Sequence, residues 1–290
     1  MAGLKDIRNR ITSVKSTRQI TSAMKMVSAA KLKKAQDRVV QIRPYANKLK
    51  EVLIEVSSGL DKSHSGIYNI QRPVENVAIV LVTSNRGLCG AFNANICKKA
   101  IALVEESYAD LPSDKIKFFC IGKKANEFIK NQGFEIVKSA NEIFNDLTFE
   151  NSVELSKLLM NDFAIGTYDK IDLVYNSFKN AGVQYQLVES FLPMEIESEE
   201  RNNPSEYLFE PDMNTIVDEM IPKSLRVQFF KAVLDSNAAE HGARMTAMHQ
   251  ATDNATELIK DLTLIYNKAR QAAITNEILE ITSGSNALKG

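Results

Sequence analysis

Heptad repeats at both ends of the chain, with a long stretch of different character between them, constrain this sequence more than any other feature. In the N-terminal repeat the a positions fall at Ile7, Val14, Thr21, Ser28, Ala35, Ile42, Leu49 and Val56, and the d positions at Ile11, Arg18, Lys25, Leu32, Val39, Ala46 and Leu53. All are apolar except Arg18, Thr21, Lys25 and Ser28, which makes a sustained coiled-coil seam. The C-terminal repeat places a at Val227, Leu234, His241, Met248, Ala255, Leu262, Ala269 and Asn276. Its d positions are Phe230, Asn237, Arg244, Ala251, Leu258, Ile265, Ala272 and Leu279. Two helices of similar length and shared period, joined through a folded domain, predict an antiparallel pairing with each other.

The first helix is expected from Leu4 to Ser58, with Pro44 inside it as a kink, because proline removes one helical hydrogen bond and crowds the turn before it. Beyond a polar link, Val77 to Thr83 is a continuous apolar run of the kind found in buried strands. Alternation then follows: helix Asn93 to Tyr108, strand Lys115 to Ile121, helix Lys123 to Asn131, strand Phe134 to Val137 and helix Glu150 to Ile165. Strands Ile171 to Phe178 and Gln184 to Phe191, joined at Asn180-Ala181-Gly182, complete the stretch as an antiparallel hairpin. The pattern predicts an α/β fold: a Rossmann-like domain with a mostly parallel sheet, plus an antiparallel coiled coil of the terminal helices. The expected divisions are 1–60 for the first helix, 73–193 for the α/β domain, 194–222 for an acidic link with a short helix, and 223–290 for the last helix. Pro222 is placed in the first turn of that helix, where its missing N–H costs nothing.

Equal numbers of acidic and basic residues hide a strong asymmetry. Thirteen Lys and Arg lie in residues 1–50 against Asp6 and Asp37, whereas ten acids lie in 189–219 against Arg201. So basic a helix predicts an acidic neighbour: nucleic acid, a membrane surface or a protein. No run approaches the roughly 20 apolar residues of a membrane helix, and no apolar signal core follows the basic N-terminus. A soluble, unprocessed chain is therefore expected. Cys89, Cys97 and Cys120 have neither metal-ligand nor CxxC spacing, which fits a reducing compartment.

The most enzyme-like motif is Ser84-Asn85-Arg86-Gly87-Leu88-Cys89-Gly90, between a strand and a helix, where a nucleotide-binding fold keeps its phosphate loop. It is neither GxGxxG nor GxxxxGK[ST], so a tight turn that needs glycine is the better reading. His64, His241 and His249 form no ligand set, and Cys89 has no histidine beside it to activate it. No catalytic residue, cofactor or metal is assigned.

The seam's defects say more. Arg18, Thr21, Lys25 and Ser28 fall together, beside an apolar stripe of Ile20, Met24 and Val27. Two readings stay open: a stutter that rotates the helix onto that stripe, or a contact with something besides the partner helix. Near the other end, Ile274, Ile278 and Ile281 form a second stripe beside Ala272 and Leu279, so the helix is apolar around much of its circumference and must be enclosed. Setting residue 58 opposite 223 puts Leu4 near position 277, leaving about 15 to 20 Å of helix beyond its partner.

Several stretches together resemble the gamma subunits, or central stalks, of bacterial rotary ATP synthases, and the resemblance covers the whole chain. They are Ile20-Thr21-Ser22-Ala23-Met24-Lys25-Met26-Val27, Arg43-Pro44-Tyr45, Arg86 to Gly90, Glu240-His241 with Arg244-Met245, Thr252 to Ala255, and the run from Tyr266 to Thr275 with Glu277-Ile278. The resemblance implies a non-catalytic rotor shaft that couples proton-driven rotation to ATP synthesis or hydrolysis in a ring of alpha and beta subunits. It implies that Ile20, Met24, Lys25 and Val27 meet the acidic lever segment of a beta subunit. Arg270, Gln271 and Thr275 would lie at a beta-subunit catch loop, Ile278 at the alpha/beta ring, and Tyr207, Phe209 and Glu210 near the ring of membrane c subunits. An epsilon subunit is a further implied partner, and the cytoplasmic face of a bacterial inner membrane the implied location, with membrane association only through the complex. The rival readings from residues alone are a nucleotide-binding α/β enzyme and a basic coiled-coil module for nucleic acid or a membrane surface.

Overall fold

Helix α1 (Leu4–Ser57) opens the chain, and the apolar run after it becomes the central strand β1 (Val77–Val82), whose six residues are all buried. The computed structural model describes residues 3–57, 67–194 and 213–287. Helix α2 (Phe92–Ser107), strand β2 (Ile116–Ile121), helix α3 (Lys123–Gln132), strand β3 (Glu135–Ser139) and helix α4 (Phe149–Ala164) follow in alternation. Strands β4 (Lys170–Asn180) and β5 (Val183–Leu192) form the hairpin, and helix α5 (Met213–Ala287) ends the chain. The predicted strands and helices of the middle stretch are all present, with ends within three residues of expectation.

The sheet order is β3-β2-β1-β4-β5. Its first four strands are parallel, and β5 joins β4 antiparallel as an edge. β1 is buried on both faces because helices cover both, which is why it reads as an unbroken apolar run. On the α2 and α3 face, Ile79, Leu81, Ile96, Ala100, Phe118, Cys120 and Ile129 build the main core. Gly122, between β2 and α3, has φ 103°, and a Cβ there would stand 2.4 Å from the Thr83 carbonyl oxygen, so only glycine fits this crossing. The Thr148 hydroxyl caps α4 by accepting from the Asn151 amide at 3.3 Å.

Two compact units emerge, Met1–Val27 with Met245–Gly290, and Ser28–Arg244. Within the larger unit α5 rests on both α1 and the sheet. Phe229 is fully buried, its ring 6.0 Å from that of Phe191 on β5. At Gly242, a Cβ would approach Ala181 in the β4–β5 turn to 3.2 Å. Residues 232–236 are buried consecutively, polar Asp235 and Ser236 included.

α1 is described as far as Ser57 and runs through Pro44 without a break. The expected start of the last helix needs correction. α5 begins at Met213, and Pro222 lies well inside it. The helix survives its proline because Ile221 and Leu225 are buried on either side, so packing rather than local propensity holds that turn. The acidic link, with Tyr207, Phe209 and Glu210, lies outside the described residues.

Candidate partner-binding surface

In the smaller unit the ends of α1 and α5 lie side by side and antiparallel. The Thr252 hydroxyl is 2.8 Å from that of Thr21 and 2.7 Å from the Met248 carbonyl oxygen. Lys25 Nζ lies 3.2 Å from His249 Nδ1, which in turn faces the Asp253 carboxylate at 3.3 Å. Polar partners on α5 thus meet Thr21 and Lys25, two of the positions where the N-terminal seam turns polar.

These contacts decide between the two readings of the seam's defects on one point. The heptad continues straight through Thr21 and Ser28, both buried, with Arg18 and Lys25 half-buried, so there is no stutter. The apolar neighbours face outward: Ile20 is 60% exposed and Val27 58%, while Met24 is half-buried. Along α1, most of the lysines and arginines are also exposed, so the outward apolar residues stand among positive charge.

The seam of α5 differs from expectation by one residue. Met248, Ala255 and Leu262 are buried as predicted, but Leu258 and Ile265 are exposed, and Ile259 and Tyr266 take their place half-buried. The alternation runs four-three where three-four was expected, the sense that the Thr21–Thr252 pairing demands. Counting outward from that pair puts Leu4 level with Ala269, not residue 277. Residues 270–285 are then without a partner helix among the described residues, and every one is exposed. At about 1.5 Å per residue they extend about 24 Å, longer than expected. The heptad positions Ala272, Asn276 and Leu279 are exposed for the same reason.

This overhang carries Ile274, Ile278, Leu279 and Ile281, all about half exposed or more, together with Arg270, Gln271 and Thr275. An isolated exposed leucine needs no explanation, but several on one unpaired helix mark a surface meant to be covered. The structure does not gather all the predicted site residues. Ile20, Met24, Lys25 and Val27 sit level with the stretch of α5 around His249 and Thr252, about 30 Å from the 270–278 group along the helix.

The turn Ser84–Gly90 follows β1 at the point where strand order reverses, the usual ligand crevice of such sheets. Here the turn is a support for α5. Arg244 donates to the carbonyl oxygens of Arg86 at 2.9 Å and Gly87 at 3.3 Å, and pairs with Glu240 at 2.5 Å. Burial pushes the Glu240 carboxyl up and Arg244 draws it back. A phosphate cradle needs converging N–H groups, whereas this turn aims carbonyls at an arginine. Gly90 takes a left-handed φ of 60°, as the tight-turn reading requires, and so does the exposed Leu88 at 63°. Cys89 is buried with its thiol pushed up by burial, and burial raises Cys97 and Cys120 to about 12, so none is a ready nucleophile.

Two contacts escaped sequence reasoning. The Glu240–Arg244 pair has visible i, i+4 spacing, but its burial had no signature. Arg43 and Asp235 meet across 192 positions, and nothing local announces it. Among the described residues no helix is long and apolar enough to cross a membrane.

The sequence profile of the ATP synthase family matches residues 3–288. The chain is 53% identical to the ATP synthase gamma chain of Christiangramia forsetii, over all of both chains, and 52% identical to that of Flavobacterium psychrophilum, again end to end. Among solved structures, a chain of the Euglena gracilis mitochondrial ATP synthase (OSCP/F1/c-ring, rotational state 3) shares the fold at a TM-score of 0.70 and 22% identity, covering 98% of this chain and 94% of that one.

Proposed function

Because the chain belongs to the ATP synthase gamma chain family, we propose that the unpaired tip of α5 turns inside the alpha/beta ring while the basic face of α1 meets an acidic segment of beta. The chain is a stalk subunit of the complex and not its catalytic one. It is a rotor shaft that couples rotation to ATP synthesis or hydrolysis, and the chemistry belongs to the ring. The observation that carries the placement is the tip itself: a long exposed helix with apolar side chains on several sides and no partner among the described residues.

Each contact group has a physical role in this reading. Ile274, Ile278 and Ile281 supply apolar surface for a socket that is close to cylindrical. Arg270 offers a planar fork to a carboxylate, and Gln271 and Thr275 add neutral hydrogen bonds. At about 1 to 3 kcal/mol each, such bonds hold an angle and still break when torque is applied. Ile20, Met24 and Val27 give the beta lever an apolar seat, with Lys25 and the exposed lysines of α1 drawing in its acids. Tyr207, Phe209 and Glu210 are assigned to the c-ring contact, and an epsilon subunit is a further partner. This places the chain peripherally on the cytoplasmic face of a bacterial inner membrane, held there by its complex.

The test is reconstitution with the alpha and beta subunits of the same synthase. ATP turnover should depend on this chain, and a disulfide from Ile278→Cys to a ring subunit should arrest turnover until it is reduced. The three native cysteines are buried, so the new thiol is the accessible one. Turnover indifferent to omission of the chain, or unaffected by the cross-link, would remove the reading.

A further inference from the structure

One side chain ties together three elements that a loaded shaft would otherwise let slide. Arg43 of α1 reaches Asp235 of α5 through Nε at 3.2 Å and through Nη2 at 3.0 and 3.1 Å to the two carboxylate oxygens. The same Nη2 donates to the Phe178 carbonyl oxygen near the end of β4 at 2.6 Å, and the Ser177 hydroxyl donates to Asp235 at 3.4 Å. Asp235 is 1% exposed and its guanidinium partner 35%. Burial raises the Asp235 carboxyl, and Arg43 and then Lys231 oppose that rise. Both helices and the sheet therefore meet at one charged, oriented junction.

Apolar side chains also lie close by in sequence: Leu234, Ala238, Ala239 and Val39 are all buried. Apolar contact is non-directional, so it resists separation but opposes sliding and twisting weakly. A forked guanidinium bonded to a buried carboxylate and a backbone carbonyl fixes distance and angle together. Resting on the shaft reading above, we propose that Arg43 is the torque pin of this subunit, a positioning residue that locks α1, α5 and β4 against mutual rotation so that the α/β domain and the stretches of both helices packed on it within the larger unit turn as one. The role requires no contact with the ring or with nucleotide. Its loss leaves the tip's own surface unchanged and makes the shaft compliant.

The experiment uses the assembled synthase with a rotation probe on Ile165→Cys, an exposed position at the end of α4, and with the tip held to the ring through Ile278→Cys. In Arg43→Ala the angular variance of the probe should widen at least about twofold with the tip held, and once the tip disulfide is reduced, proton-driven synthesis relative to ATP hydrolysis should fall at least about threefold. Arg43→Lys keeps the charge and loses the fork, so it should fold and widen the distribution to an intermediate degree. If Arg43→Lys matches the wild type in variance and coupling, or if Arg43→Ala lowers only the thermal midpoint, the pin is overturned and the junction serves folding alone. A wild-type assembly whose probe never rotates when unlinked would overturn the shaft reading, and the pin with it.

Discussion

Two stretches of α5 with similar apolar content have opposite fates. Ile221–Arg244 is covered nearly all round by α1 and the sheet, and it buries Asp235, Ser236, Glu240 and Arg244 along with its Phe, Leu, Val and Ala side chains. Residues 270–285 bury nothing and display Ile274, Ile278, Leu279 and Ile281. Polar groups lie inside in one stretch and apolar groups outside in the other, the reverse of the ordinary distribution. Asp235 and Arg244 are buried where they join elements, and an exposed apolar row stands where a partner is still to come. The first stretch is built for attachment within the chain and the second for attachment beyond it.

The sharpest way to break this contrast is Phe229→Ala. Its side chain is fully buried against Phe191, so urea unfolding should show a loss of about 3–5 kcal/mol. A loss comparable to that of a tip substitution would mean the covered stretch is not the structural one. Gly242→Val comes next: its first carbon already meets Ala181 at 3.2 Å, and about 1–3 kcal/mol should be lost by the same measurement.

A pH series sharpens the contrast further. Burial first, then Arg244 and Lys31, lowers His241 from 6.5 to about 4, so the folded chain keeps it neutral while the unfolded chain takes up a proton. Stability from this group is fully present above about pH 6.5 and falls on acidification toward pH 4, by up to about 1.4 kcal/mol per pH unit. Asp235 and Glu240 are raised by burial and work in the opposite sense just above their ordinary values. The difference between wild type and His241→Gln therefore isolates the histidine, and equal slopes for the two would contradict its burial as a neutral group. The smallest effect belongs to the tip. Ile278→Ala in the isolated chain should change stability by no more than about 0.5 kcal/mol, yet it should weaken the assembled complex in pull-down and turnover assays. A large loss in the isolated chain would make the tip structural.

Much of this was legible in the residues. The heptad of α1 holds from Ile7 to Leu53, polar layers included, because one face of a helix packed against one partner leaves a clean period. The α/β alternation was legible too, since strands buried on both faces and helices buried on one have different signatures. The seam of α5 slipped by one residue because Leu258 and Ile259, and Ile265 and Tyr266, are adjacent apolar pairs. Periodicity alone cannot choose within such pairs; the Thr21–Thr252 contact, which is non-local, does. Pro222 misled for a related reason, since a proline inside a helix is tolerated only where packing compensates. Of the candidate surface, the sequence showed which residues needed cover. It could not show Arg43 meeting Asp235, a pairing created by three separate elements.

The end of α5 also has a thermodynamic character of its own. From Ile281 it reads Ile-Thr-Ser-Gly-Ser-Asn-Ala, and Thr282 turns its hydroxyl to the carbonyl oxygens of Ile278 and Leu279. Gly, Ser, Thr and Asn are poor helix formers, so little intrinsic propensity supports these last turns once no partner lies alongside. Whatever receives the tip must therefore also bear the entropy of keeping it ordered, and that cost subtracts from affinity while leaving the shape of the contact intact. A bearing needs that combination: a close fit that is weakly held.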